Sequence, residues 1–425
     1  MKMVKKKRLI ISVCAMFLCV SILALSSCAP KVRAYDLTRD ASPISASERP
    51  SDEKFISSQM DLSLRLFKAS NAETAESTLV SPLSLTLALA MTANGASGET
   101  RAQMQALLGE DIPLEDLNEY LYTYAKYLPS DDDAKLEIAN SIWLRDDSSL
   151  NVRDDFLSKA ASYYDAQIYK NAFDIKAMKD MNNWVRLHTD DTIEKIVDDR
   201  SAPDEITVMY LLNALAFNAE WREPYERSNV DEGIFTTDNG ERQQVDMMRS
   251  EEGLYIETSN ATGFYKSYKG SKYSFIALLP SEGIQINDYI ATLDAQEILH
   301  ALNNGTYVTV NATIPKFDYE YSLKMKDALS SLGMSDAFDV NVADFSELGT
   351  CENGNIYIDD VLHKTYIRVD ERGTRAGAVT KIELGCGSAD MSENKTVTLD
   401  RPFVYMIIDM ESKLPIFVGA LKSIE

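Results

Sequence analysis

Three histidines and five cysteines are the chain's short stock of residues suited to base, nucleophile or soft-metal chemistry. His188 and His300 fall near the ends of expected helices and read as surface residues. His363 falls on the apolar side of an alternating segment. As a general base it would need a nucleophile within hydrogen-bond reach. No Gly-x-Ser-x-Gly elbow accompanies it, and no His, Cys or Asp cluster has metal-ligand spacing. The expectation is a buried histidine satisfied by hydrogen bonds, with no metal and no cofactor. A hydrolase built on His363 is the enzyme alternative. Cys14, Cys19 and Cys28 belong to the N-terminal leader, which leaves Cys351 and Cys386, too few for a disulfide framework. Cys351 precedes a strand expected at 356–370 and Cys386 lies beyond its far end, so the two should be well separated. A free thiol at Cys386 would be open to oxidation outside the cell.

The stretch that positions His363 and Cys386 runs from Val361 to Arg401. Its first part alternates like a strand, with Val361, His363, Thr365, Ile367 and Val369 on one face and Lys364, Arg368 and Asp370 on the other. From Glu371 the chain carries no bulky apolar side chain before Val379. Every second residue from Thr374 is nevertheless small or apolar: Thr374, Ala376, Ala378, Thr380, Ile382 and Leu384. The residues between them are polar or featureless. This is a period-two pattern with one buriable face, set in a glycine-broken segment. Two readings fit the pattern. One is a surface loop with chance alternation; the other is a loop able to become a half-buried strand.

The elements before this stretch are mostly helical and those around and after it are strands. Helices are expected from Asp52 to Ala69, at Leu83–Ala93 behind a Ser81 cap and Pro82 at the first helical position, and at Glu99–Leu108, Leu114–Tyr127, Arg153–Tyr164 and Ala177–His188. Leu83–Ala93 is apolar on nearly all sides and should be buried centrally. Ile138–Leu144 and the almost continuously apolar Ile206–Phe217 read as strands, the second a central one. Shorter strands follow at Gly253–Glu257, Gly263–Lys269 and Ser274–Leu279. Next come a helix at Ile286–Leu302, a strand region at Tyr307–Tyr321, a short helix at Lys324–Leu332, and closing strands at Phe403–Met410 and Ile416–Leu421. The fold class is α+β, without internal repeats.

Asp360-Val-Leu-His-Lys, the hinge-like Glu371-x-Gly-Thr-x-Ala-Gly-Ala, Asp400-Arg-Pro-Phe403 and Pro415-Ile-Phe-Val-Gly419 together resemble the reactive-loop region of the serpin family. The resemblance continues upstream, in order. It includes Ser81-Pro-Leu-Ser through Gly98-Glu-Thr-Arg-Ala-Gln-Met104, Asn182-Asn-Trp-Val with Thr192-Ile-Glu-Lys-Ile196, Leu212-Asn-Ala through Glu220-Trp221, and Leu332-Gly-Met-x-Asp-Ala-Phe338 with Ala343-Asp-Phe-Ser346. It implies a large mixed sheet with further sheets, about nine helices and an exposed reactive loop. It also implies suicide inhibition. A serine or cysteine protease attacks the loop and forms an acyl bond. The hinge half of the loop then inserts into the large sheet and drags the covalently held protease away.

On that resemblance Glu371, Gly373, Thr374, Ala376, Gly377 and Ala378 form the hinge. Ser81, Ser84, Asn213 and His363 match the polar shutter beneath the place where the sheet parts. Trp221 matches the breach residue at the top of the opening; the plainer reading of it is a core tryptophan. Arg375 stands where the family often has an acid, but it points outward and should be tolerated. Counting from Glu371 puts the reactive bond at Gly387-Ser388, while glycine's lack of a side chain favours Cys386-Gly387; Leu384 and Met391 are further candidates. Small residues here, and no Arg or Lys from Gly385 to Asn394, point to an elastase-like or subtilisin-like target. The alternative is a non-inhibitory surface binding protein of the same fold.

The N-terminus carries Lys2, Lys5, Lys6, Lys7 and Arg8, then an apolar run from Leu9 to Leu25 and Ser26-Ser-Cys28. This describes a secretory leader. Leu25-Ser-Ser-Cys28 also looks like a bacterial lipobox, with Cys28 as the acylated residue. Residues 1–28 are thus expected as a lipoprotein signal peptide, 29–50 as a flexible tether and 51–425 as one large domain. The protein would sit on the outer face of the bacterial membrane through its lipid, or be secreted, and would be a monomer. The net charge of −23 argues against nucleic acid and against electrostatic binding to anionic lipid.

Overall fold

The computed structural model describes residues 30–424 apart from 110, 129, 201–207 and 375–393. Among the described residues there are nine α-helices: α1 (Glu53–Ala72), α2 (Pro82–Ala93), α3 (Gly98–Gly109), α4 (Leu114–Tyr127), α5 (Asp154–Tyr164), α6 (Ile175–His188), α7 (Ile286–Thr292), α8 (Ala295–Asn303) and α9 (Lys326–Ser331). All twelve residues of α2 are buried, as its apolar circumference requires. Ser81 occupies the N-cap position of α2, with Pro82 in the first turn, but its side chain makes no capping bond. The single helix expected at Ile286–Leu302 is two. The chain leaves α7 at Leu293, and the Asp294 carboxylate accepts the Glu297 N–H to start α8.

Two large sheets face each other. The seven-stranded sheet runs β1 (Tyr35–Asp36), β5 (Gln167–Asn171), β3 (Ala134–Arg145), β6 (Met209–Glu220), β15 (Gly373–Thr374), β14 (Asp360–Val369), β12 (Phe317–Lys324). The nine-stranded sheet runs β16 (Lys395–Thr398), β11 (Thr306–Pro315), β8 (Arg242–Glu257), β9 (Ala261–Ser267), β10 (Tyr273–Pro280), β17 (Phe403–Asp409), β18 (Pro415–Leu421), β2 (Thr78–Val80), with β7 (Val230–Thr236) also on β8. Val361, Ile367 and Val369 of β14 and Leu211, Leu215 and Phe217 of β6 join the main core. The opposite face of the seven-stranded sheet carries a second core. There Leu212, Ala214 and Leu362 pack with Met178, Met181, Trp184 and Val185 of α6. The strand alternation read from the sequence therefore has two buried sides, because α6 covers one of them.

Residues 30–50 do not hang free as the expected tether. Tyr35 and Asp36 pair antiparallel with Lys170 and Tyr169 at the sheet edge. The Asp180 carboxylate on α6 accepts the N–H groups of Arg33 and Ala34, each at 3.0 Å. Farther on, Ile44 N–H donates to Ser162 on α5, and Arg49 pairs with Asp116 and Glu119 on α4. Backbone pairing and buried-edge contacts overrule the polar composition that suggested a linker.

Candidate functional site

β6 and β14 are neighbours in the seven-stranded sheet, yet they pair with each other only at one end. Residues 210–213 meet 360–363 in parallel register, with His363 beside Asn213 as the last pair. Beyond that point the strands part. At the far end of the gap lies β15, with Gly373 opposite Glu220 and Thr374 opposite both Ala219 and Val369. Residues 214–218 of β6 and 364–368 of β14 face each other across a slot, with no strand between them among the described residues.

The foot of the slot is polar and closed. Ser84 Oγ donates to Asn213 Oδ1 at 2.5 Å, and Asn213 Nδ2 donates to the Ser84 carbonyl at 2.8 Å and to Asn140 Oδ1 at 2.6 Å. His363 Nε2 accepts the Ser81 backbone N–H at 3.2 Å. Burial pushes the His363 pKa down to about 3, so the ring is neutral and Nε2 is free to accept. Two atoms of this cluster, Ser81 Oγ and His363 Nδ1, are buried with no hydrogen-bond partner. An unpaired buried polar atom costs on the order of 1–3 kcal/mol. The closed arrangement therefore leaves bonding capacity unused. His363 is fully enclosed and its ring faces a backbone N–H, so it is not placed to serve as a base for an external substrate.

The mouth of the slot grips the hinge. Trp221, 1 % exposed, donates its backbone N–H to the Arg372 carbonyl at 2.7 Å and its indole N–H to the Asp370 carbonyl at 2.9 Å. Tyr225 N–H donates to the Glu371 carbonyl. The indole stacks on Tyr268, with centroids 4.5 Å apart, and the Tyr268 hydroxyl hydrogen-bonds Thr374 Oγ1. Lys316 Nζ meets Glu371 Oε1 at 2.9 Å. Burial by itself would raise the Glu371 carboxyl pKa, but Lys316, a backbone N–H and Arg368 together outweigh it and hold the value below the ordinary one. Lys266, almost fully buried, pairs with Glu252 at 2.8 Å and lies over the Tyr225 ring at 4.2 Å. At Gly373 a Cβ would stand 2.0 Å from the Ala219 carbonyl oxygen, so only glycine fits where the hinge enters the sheet.

The structure thus brings Ser81, Ser84, Asn213 and His363 together at one end of the slot, and Trp221, Glu371, Gly373 and Thr374 at the other. Ala376, Gly377 and Ala378, the candidate bonds at Cys386, Gly387 and Ser388, and Cys28 lie outside the described residues. His188 Nδ1 contacts the Trp184 carbonyl, and His300 is exposed at the end of α8. Cys351 is half-buried, with Sγ 3.3 Å from Ser149 Oγ. Sequence reasoning missed Asn140, Lys316, Tyr268 and Lys266. Asn140 did carry a signal, a polar pair with Ser141 inside the otherwise apolar run from Ile138 to Leu144. Lys316 carried none, because its partner is 55 positions away.

Residues 57–424 match the family model described as serpin (serine protease inhibitor). The chain is 30 % identical over 357 residues to intracellular coagulation inhibitor 2 of Tachypleus tridentatus, covering 81 % of this chain and 85 % of that protein. It is also similar to a solved thermophilic serpin, tengpin. The native-state structure gives a TM-score of 0.88 at 49 % identity, covering 92 % of this chain and all of the other. The latent-state structure gives 0.78 at 50 % identity, covering 89 % and all of the other.

Proposed function

The chain belongs to the serpin family, and we propose that it inhibits serine-type endopeptidases as a suicide substrate, by loop cleavage followed by loop insertion. The observation that carries this reading is the seating of Gly373 and Thr374 between β6 and β14, at the mouth of a slot that no other strand fills among the described residues. Both residues are small, and Thr374 turns its side chain inward, 3 % exposed.

The register supplies the course of insertion. Thr374 lies antiparallel to Ala219 and to Val369. Continued in that register, Arg375 to Val379 fill the slot opposite Asn218 to Ala214 and Arg368 to Lys364. Ala376, Ala378 and Thr380 then share Thr374's inward face. Arg375 falls opposite exposed Asn218 and stays solvated. Val379 falls beside Ala214, under α6, where an apolar side chain is wanted. Thr380 falls between Asn213 and His363, so further insertion separates that pair.

In the reaction the protease hydroxyl adds to the carbonyl of the cleaved bond. The ester that forms keeps the N-terminal part of the loop on the protease, and the amine of the next residue leaves with the proton. The segment after the loop remains in the nine-stranded sheet through β16, β17 and β18. Insertion before the ester hydrolyses carries the protease along the sheet. Small residues around Cys386-Gly387 and Gly387-Ser388 favour an elastase-like or subtilisin-like target. Acylation at Cys28 would hold this monomer on the outer face of the cell membrane. The mass of the N-terminal peptide from membrane-bound protein reads that modification directly.

Mixing the protein with elastase-like, subtilisin-like and trypsin-like proteases tests the reading. A protease-sized upward shift that survives boiling on a denaturing gel is the expected result, and the mass of the released C-terminal fragment identifies the bond. Loop cleavage with no shift would replace inhibition with the non-inhibitory surface-binding reading.

A further inference from the structure

α6 shows solvent a face unlike the rest of this acidic chain. Its solvent side carries Ile175, Lys176, Lys179, Asn183, Arg186 and Leu187, opposite the side that packs on the sheet. At 3.6 residues per turn these six fall within about 120° of arc, with no carboxylate among them. Ile175 and Leu187 stand 45 % and 47 % exposed. The acids bordering this face are engaged. Asp174 accepts the N–H groups of Lys176 and Ala177, Asp180 accepts those of Arg33 and Ala34, and Asp191 pairs with Arg186. The N-terminal segment runs alongside. Asn183 Nδ2 donates to the Lys31 carbonyl at 3.1 Å, and Val32 and Ala34 pack on the core beneath α6. The alternation leaves Lys31 and Arg33 exposed. Lys31, Arg33, Lys176 and Lys179 thus form a basic strip, and none of their side chains has a carboxylate partner among the described residues.

We infer that this strip is the protein's seat on an anionic phospholipid bilayer. The reach of the chain is the first argument. A free segment from Cys28 to Pro50 would span on the order of 75 Å. Clamped at Lys31, the chain leaves at most about 11 Å between Cys28 and the body. An acyl chain on Cys28 therefore holds the α6 side against the headgroups. Charge is the second argument. Net charge alone argues against contact with anionic lipid, because it averages over a surface whose α6 side has the opposite sign. A body held this close and repelled elsewhere turns its basic strip to the bilayer. The four cations then lie within a Debye length, about 8 Å, of the headgroups, and Ile175 and Leu187 meet the apolar boundary. The short distance rests on the proposed attachment at Cys28; the headgroup contact stands on the strip alone.

The test is lysine footprinting of the full-length protein, purified from membranes and added to preformed vesicles of phosphatidylcholine, with or without phosphatidylglycerol. Acetylation is read by mass spectrometry. On the anionic vesicles at low salt, Lys31, Lys176 and Lys179 should react about fivefold more slowly than in solution. Exposed Lys54 on α1 and Lys324 on β12 should keep their rates. Salt at about 0.5 M should remove most of the protection. Lys176→Glu combined with Lys179→Glu should abolish it at Lys31; both positions are exposed, so the thermal midpoint should change little. Equal reactivity of all these lysines on anionic vesicles would overturn the seat. So would equal protection by soluble polyphosphate, which would assign the strip to an anionic polymer. Flotation on neutral vesicles reads the Cys28 anchor separately. Unacylated protein whose strip is still protected on anionic vesicles would keep the seat and remove only the anchor.

Discussion

Asn213 and His363 are the last residues at which β6 and β14 still touch, and each is tied to the segment around Ser81–Ser84 at the start of α2 rather than to the other's side chain. The pair is held from below by one helix. Separating the strands therefore means detaching at least one of them from that helix.

This gives the closed state a pH dependence. Unfolded, His363 titrates near its ordinary value of 6.5; folded, burial holds it down to about 3. Above pH 6.5 both states are neutral and the full stability is present. As pH falls from 6.5 toward 3 the unfolded or opened state takes up a proton that the closed state does not. Stability then drops by about 1.4 kcal/mol per pH unit from this group. Between pH 7 and pH 5 the loss from His363 should approach 2 kcal/mol. His363→Asn should remove that component, read as a smaller acid shift of the urea midpoint.

Thr374→Arg should convert inhibitor to substrate. The side chain it replaces is buried against Tyr268. A guanidinium there has no carboxylate within the described contacts and would cost several kcal/mol if kept in the sheet. Loop cleavage should continue while the boiling-resistant complex disappears. Full trapping by this variant would contradict insertion along the register set by Ala219. Arg375→Glu, opposite exposed Asn218, should trap normally.

Gly373→Ala tests the point of entry. The added methyl collides with the Ala219 carbonyl and the Glu220 backbone. The hinge must then leave the sheet or push β6 aside. The expected result is a several-fold rise in the number of inhibitor molecules consumed per protease inactivated, with little change in the rate of first cleavage.

Asp180→Ala should loosen the N-terminal segment. Two backbone N–H bonds to its carboxylate are lost, each worth about 1.5–3 kcal/mol when charge-assisted. Amide exchange at residues 33–36 should accelerate strongly. The β1–β5 pairing should fray while the main core between the sheets keeps its protection.

Much of this was legible in the sequence, for identifiable reasons. α4 begins at Leu114 and ends at Tyr127 as its periodicity required, and Ser81-Pro82 did mark the start of α2. His363 was recognisable as a buried polar residue because its strand alternates cleanly. The slot was not legible, since it is a relation between strands some 150 positions apart that agree over four residues and then diverge. The strand Tyr35–Asp36 was equally invisible, because a two-residue edge strand has no period to detect.

The seating of Thr374 also bears on timing. Starting a new strand is slow, because chain ends must find their register before any pairing rewards them. Here the first rung is already in place, so a severed loop need only elongate. Elongation in a preset register is fast compared with a search. In the proposed mechanism, the race between insertion and release of the protease would thus be weighted before the protease arrives. By that mechanism the same head start would threaten the idle molecule, because an uncut loop could enter the same slot. What restrains it then is the length of loop that β16 anchors at the other end. In the proposed mechanism one cut removes that restraint, which would make the molecule a single-use spring whose trigger is the enzyme it captures.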